Sequence, residues 1–270
     1  MRFALFLSMT ALLVPVYLLL RPLSRAAGKA IAGGWFRGAC RLCGLDVRVA
    51  GAPCRAGTTL LVANHVSYLD VPVIGSLVDV VFVAKREVAD WPLFGFLARL
   101  VGTAFIGRKA SGAAMQARYL SRRLKAGERL LAFPEGTSTD GLAVRPFKTA
   151  LFAVAERMPA DRPLWIQPVS ISYPRTADGR SLSGGLRDLY AWHGDMTLLP
   201  HLLKVFGLKG AQVEVIFHEP VLATAFADRK DLAHYCRAEV ALGVSMAMGR
   251  WRTAVPRSIA APAVDPAITV

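Results

Sequence analysis

Residues 58–73, TTLLVANHVSYLDVPV, decide the fold. Thr58 to Ala63 is a short, β-branched, almost uniformly apolar run, which marks a strand buried on both faces. A second apolar run follows from Tyr68 and fits a helix over 68–77. Strands are expected again at 79–84 (DVVFVA), 102–106 (GTAFI), 129–133 (RLLAF), 164–172 (LWIQPVSIS) and 212–217 (QVEVIF), bounded by turn residues. Between and after them, helices are expected at 92–100, 111–126, 147–157, 188–205 and 229–249. Alternation of this kind predicts an α/β protein with a mixed, largely parallel sheet flanked by helices.

The chain of 270 residues shows no break in composition across these elements. It divides into an N-terminal hydrophobic membrane-anchoring helical segment (1–45), one α/β domain (46–252) and a tail (253–270) rich in Ala, Pro and Val. Lys plus Arg number 33 against 19 Asp plus Glu, a net charge of +14, beside a 54% hydrophobic content. Basic and apolar together indicate an anionic membrane as partner. Nucleic acid is set aside: no binding module is present, and no aromatics interleave with the basic residues.

Phe3 to Leu20 carries no charge and reaches the lower limit for crossing a bilayer. Arg21, Arg25 and Lys29 follow it where a signal peptide would need small residues, so a retained anchor is expected, its C-terminal side at the cytoplasmic face of the inner membrane. Residues 30–45 fit a second helix, lying in the interface or packed on the core. Cys40 and Cys43 have no second CxxC to complete a zinc site, so the cysteines read as small hydrophobes and no metal is expected.

The polar residues inside the opening stretch carry the chemistry. Ser67 and Asp70 fit the N-cap pattern [ST]-x-x-[DE], so both can serve simply to start a helix. On one regular helix His65 and Asp70 would stand about 140° apart and could not meet. With Ser67 as cap, Asp70 reaches back toward the entering chain, where His65 lies. The helix N-terminus favours an ionised Asp70, which can hold one ring nitrogen of His65 protonated and leave the other as a base. Such a pair suits a bound substrate hydroxyl attacking an acyl carbonyl. Ser67 itself is expected to be committed as the cap.

Ligands of open α/β sheets collect beyond the carboxyl ends of the strands, where KRE (85–87), GRK (107–109) and PEGTSTDG (134–141) also fall. Arg108 and Lys109 offer cations for phosphate, and Gly136 permits close backbone approach. Pro146 suits the first turn of the helix expected at 147–157, whose N-terminus with Arg145 and Lys148 adds anion binding. The basic residues Arg118, Arg122, Arg123 and Lys125 of the helix at 111–126 read first as a solvated face and second as a headgroup patch. No GxGxxG, Walker or GxSxG motif is present.

In order, NHVSYLD (64–70), KREVADWPLFG (85–95) with GTAFIGR (102–108), FPEGT (133–137) followed by PFKTALF (146–152), and QPVSI (167–171) resemble the four blocks of the glycerolipid acyltransferase family, typified by 1-acylglycerol-3-phosphate acyltransferases. The resemblance implies His65 as general base and Asp70 as its partner. It implies an acceptor site shaped by Asn64, Ser67, Lys85, Arg108, Glu135, Gly136, Thr137 and Lys148. Glu135 cannot attract phosphate, so it is expected to orient Arg108 or Lys148. Pro168 reads as structural. The implied donor is a fatty acyl thioester of acyl carrier protein or coenzyme A, with no cofactor; the implied acceptor is a lysolipid, first of all 1-acylglycerol 3-phosphate.

One departure bears on that acceptor. Many members continue the third block as FPEGTRS, whereas Ser138 stands here in place of the Arg. The stretch YAWHGDMTLLPHL (190–202) also resembles a subgroup that includes lyso-ornithine lipid acyltransferases, whose acceptor is a zwitterionic amino-acid lipid. That acceptor is the alternative, with His193 and Asp195 either touching its headgroup or starting a capped helix over 195–200. A catalytically inert membrane-binding scaffold is the alternative of a different class.

Overall fold

The computed structural model describes residues 1–107 and 112–249. Arg108 and Lys109, and all but the first few residues after α7, lie outside the described residues, so the expectations placed on them stand as they were.

Two helices open the chain, α1 (Arg2–Leu20) and α2 (Arg25–Leu42). The remainder runs β1 (Leu45–Ala50), β2 (Thr58–Ala63), α3 (Asp70–Leu77), β3 (Val81–Lys85), α4 (Phe94–Leu100), β4 (Ala104–Ile106), α5 (Ala113–Lys125), β5 (Leu130–Ala132), β6 (Leu164–Thr176), α6 (Leu198–Gly207), β7 (Ala211–Phe217), β8 (Val221–Leu222) and α7 (Arg229–Ala247). Among the described residues, eight strands form one sheet in the order β1-β7-β6-β2-β5-β3-β4, with β8 against β6. The five strands β6, β2, β5, β3 and β4 are parallel, whereas β7 and β8 run antiparallel to β6. The sheet is therefore mixed and largely parallel.

β2 shows why a continuous apolar strand belongs at the centre. Leu61 and Ala63 pack into the core shared with α2, α3 and α6, while Leu60 and Val62 pack into the opposite core with α5 and α7. All four have no exposed surface. Each of the larger side chains contributes about 2 kcal/mol by leaving water.

The structure corrects several expected elements. β1 was not among the expected strands, although Leu45, Val47 and Val49 alternate with Asp46 and Arg48; its charged face is what an edge strand tolerates. The helix expected over 147–157 is a 3-10 helix, Thr149–Arg157, and Pro146 lies in the loop before it rather than in its first turn. The helix expected over 188–205 is a short 3-10 turn (Gly184–Leu189), then a loop in which Gly194 adopts φ +60°, then α6. A positive φ cannot continue a helix. β6 runs on to Thr176, beyond the expected end at 172.

α1 lies along the domain rather than projecting from it. Near its start, Arg2 Nη1 donates to Leu208 O (2.7 Å); at its middle, Thr10 Oγ1 accepts from Trp35 Nε1 (3.0 Å); near its end, Tyr17 OH donates to Leu100 O (3.1 Å). It is long and apolar enough to cross a membrane, and Leu12 and Leu19 are 69% and 70% exposed on its outer side. That surface fits membrane association.

Candidate active site

Parallel pairing brings the carboxyl ends of β2 (Ala63), β5 (Ala132), β3 (Lys85) and β4 (Ile106) to one edge of the sheet. The HxxxxD loop leaves from this edge, and its path is fixed by side chains that replace the ladder. Asn64 is buried, and its amide donates to Ile171 O and accepts from Ile171 N, both at 2.8 Å. Asn64 is expected to bind substrate; in the structure its amide spends one donor and one acceptor on clamping the loop to β6. Next, His65 N donates to Glu135 Oε1 (2.8 Å), His65 O accepts from Thr139 N (2.9 Å) and Val66 O accepts from Trp192 N (3.0 Å).

Asp70 closes the turn. Its Oδ2 lies 2.8 Å from His65 Nδ1 and accepts from Val66 N (2.7 Å) and Ser67 N (3.0 Å), while Oδ1 accepts from Tyr173 OH (2.9 Å). The side chain has no exposure. The predicted bend between the two residues is present, but Ser67 is not the cap. α3 begins at Asp70, and Asp70 itself reaches back to the loop N–H groups. Ser67 Oγ is buried and has no hydrogen-bond partner among the described residues, so its hydroxyl is not committed as expected.

The His65 ring stacks on Phe133, centroids 4.1 Å apart and 16° between planes, and is 19% exposed. With Nδ1 against the carboxylate, Nε2 is the nitrogen left to act on a substrate.

Glu135 also departs from expectation. Its second oxygen accepts from Arg145 N (2.9 Å), so the carboxylate ties two backbone segments together, and its bonds among the described residues go to these main-chain donors rather than to Lys148. Burial pushes its carboxyl up from the ordinary value, opposed by those two backbone donors. Gly136 has φ +72°, and the Lys148 ammonium lies over it so closely that a Cβ there would collide. Thr137 and Lys148 are exposed, Lys85 ends β3 on the same rim, and Ser138 is buried.

In the fourth block Gln167 is structural: Oε1 accepts from Cys54 N (2.7 Å), and Nε2 donates to Ala52 O and His218 O (both 2.9 Å). His193 Nε2 lies 3.2 Å from Asp188 Oδ1, Asp195 is exposed, and α6 begins at Leu198 without a side-chain cap. Two participants were not foreseen. Tyr173 falls one residue past the expected strand end, and Trp192 acts through its backbone N–H, which no residue type signals.

An apolar cavity of about 120 Å³ is walled by α1, α2 and α4, with Val14, Trp35, Phe82, Leu97, Ala98 and Val71 among its lining. Val71, the residue after Asp70 in α3, is part of that lining.

A buried carboxylate holding an imidazole at the carboxyl edge of a parallel sheet is an arrangement that can take a proton from a hydroxyl. Residues 46–172 match the family described as Acyltransferase. The chain is 42% identical over 212 residues to the lyso-ornithine lipid O-acyltransferase of Rhodobacter capsulatus, covering 76% of this chain and 74% of that one. It is 38% identical over 243 residues to the protein of the same name from Brucella abortus, covering 88% and 91%. The 1-acyl-sn-glycerol-3-phosphate acyltransferase of Neisseria gonorrhoeae is 35% identical over 105 residues, 38% of this chain and 41% of that one. In fold, the chain is similar to the 1-acyl-sn-glycerophosphate acyltransferase PlsC of Thermotoga maritima, with a TM-score of 0.63 at 23% identity over 94% of this chain and all of that one. The chain belongs to the acyltransferase family and is an acyltransferase.

Proposed function

We propose that this enzyme transfers a fatty acyl group from a thioester to the free hydroxyl of a lyso-ornithine lipid. The observation that carries this reading is the extent of similarity: relatives of that name align over 76% and 88% of the chain, the glycerophosphate acyltransferase over 38%. The first expectation, 1-acylglycerol 3-phosphate, thus yields to the alternative. Ser138, in place of the Arg common in phosphate-binding members, supports the same choice.

In this reading His65 Nε2 takes the hydroxyl proton as the acceptor oxygen attacks the thioester carbonyl, and Asp70 holds the imidazolium that forms. Collapse of the tetrahedral intermediate breaks the carbon–sulfur bond, and the imidazolium returns the proton to the departing thiolate of acyl carrier protein or coenzyme A. The thioester is already activated, so the step balances without a cofactor or metal. The apolar cavity takes part of an acyl chain. Thr137 and Lys148, with Lys85 and Arg108, contribute polar contacts at the rim. The exposed apolar side of α1 and the basic residues around it hold the site at the cytoplasmic face of the inner membrane.

Purified protein given one acyl thioester and a panel of lysolipids, with products resolved by mass, tests the acceptor. Diacylated ornithine lipid is the expected main product. Faster conversion of 1-acylglycerol 3-phosphate would reverse the choice.

A further inference from the structure

Asp70 has no exposed surface, and its two oxygens are served from opposite sides. Oδ2 receives three donors from the loop itself, His65 Nδ1, Val66 N and Ser67 N. Oδ1 receives Tyr173 OH at 2.9 Å, from a strand 103 residues away in sequence. A buried carboxylate oxygen left without a donor is costly, so this bond settles which way the carboxyl plane faces. Tyr173 stands on the part of β6 that outruns β2, two residues beyond Ile171, which clamps Asn64. One strand extension therefore holds the loop at its start and its carboxylate at the far end. The Tyr173 ring is itself fixed, stacked on Tyr190 with centroids 6.4 Å apart and 13° between planes.

We infer that Tyr173 is a positioning residue of the transfer reaction: by donating to Asp70 Oδ1 it fixes the carboxylate that holds His65 and tempers that carboxylate's pull on the imidazole proton. This rests on the reading of His65 as base and Asp70 as its partner.

The surroundings keep the phenol a donor. Burial first, and then the neighbouring Asp70 charge, raise its ionisation well above the ordinary tyrosine value. Cys40 of α2 and Cys43 just after it also face it, and burial pushes these thiols up to about 11 and about 12, so they remain neutral. Glu135, which closes the other side of the His65 backbone, is the remaining carboxylate beside the pair. With the hydroxyl removed, Asp70 has one donor fewer and becomes a stronger acceptor toward the Nδ1–H of His65.

The test compares Tyr173→Phe with wild type, Tyr190→Phe, His65→Ala and Asp70→Asn in membranes with equal protein, across pH. Tyr173→Phe should lower kcat roughly 10-fold with the acceptor KM unchanged, and should move the acid limb of the rate profile upward. Tyr190→Phe removes a buried hydroxyl that accepts from Gly210 N and does not touch Asp70, and should shift neither. A wild-type kcat and acid limb in Tyr173→Phe, with Asp70→Asn inactive, overturns the positioning role alone. Equal effects in the two Phe variants overturn it too, as general destabilisation. Wild-type rates in His65→Ala or Asp70→Asn instead sink the dyad reading beneath it.

Discussion

Glu135 Oε1 accepts the backbone N–H of His65 at 2.8 Å, so the third sequence block holds the first by its main chain. Because the other oxygen accepts from Arg145 N, both partners of this carboxylate are donors. Gln at this position would turn an amide donor toward a backbone N–H. Glu135→Gln should therefore cost roughly 1–3 kcal/mol in stability and about 10–100-fold in kcat, more than loss of charge alone would suggest. Chemical denaturation together with steady-state rates checks both; a variant with wild-type kcat would mean the His65 backbone needs no such anchor.

The apolar cavity predicts acyl-chain selectivity. Ala98 lines it on α4, and Ala98→Phe fills space that a chain would use. Product masses from a mixed-length thioester pool should move toward shorter chains, with the rate for the shortest donors retained. An unchanged length profile would place the acyl chain elsewhere.

Membrane attachment is tied to the outer face of α1. Leu12→Lys with Leu19→Lys puts two charges where the side chains are now 69% and 70% exposed, away from the bonds that Arg2 and Tyr17 make to the domain and Thr10 makes to α2. Each apolar residue replaced by Lys opposes insertion by roughly 3 kcal/mol at most, depending on depth. The variant should shift toward the soluble fraction on salt washing while its melting temperature in detergent holds. Retention of the double variant on washed membranes would assign attachment to another surface.

A second buried polar cluster sets acid stability. Ser170 Oγ donates to Val240 O (2.9 Å) and lies 2.7 Å from His218 Nε2, which therefore donates to it. Burial pushes the His218 imidazole down to about 4 and outweighs Glu239, whose carboxylate is 3.7 Å from Nδ1. In the unfolded chain this His protonates near 6.5, so between there and pH 4 the unfolded state binds more protons. Stability should fall by up to about 3 kcal/mol as pH drops through that window, and His218→Gln should flatten the fall. Unfolding midpoints measured against pH decide it; equal slopes in both proteins would exclude His218 as the cause.

Much of the fold is legible because burial on two faces forces composition. β2 was bounded correctly at 58–63, since a central parallel strand admits only apolar residues. β1 escaped because its outer face is charged, and the stretch 184–197 because a 3-10 turn and a positive-φ Gly194 interrupt residues that otherwise suit a helix. At the site, the turn geometry follows from Asp70 lying at the start of α3, which is local and readable. Ser67 was misassigned because an Asp side chain three residues on satisfied the loop donors first.

By itself, then, the sequence determined the α/β class, the loop that brings His65 to Asp70, and the family to which the four blocks belong. Each depends on neighbours within a few residues or on the apolar period of an element. Only the tertiary structure decided that Asn64 and Gln167 spend their amides on distant backbone, that Glu135 anchors His65, and that Tyr173 completes Asp70. These are contacts across 51 to 115 residues, and which donor meets which acceptor is set by strand order and register, which local pattern does not encode.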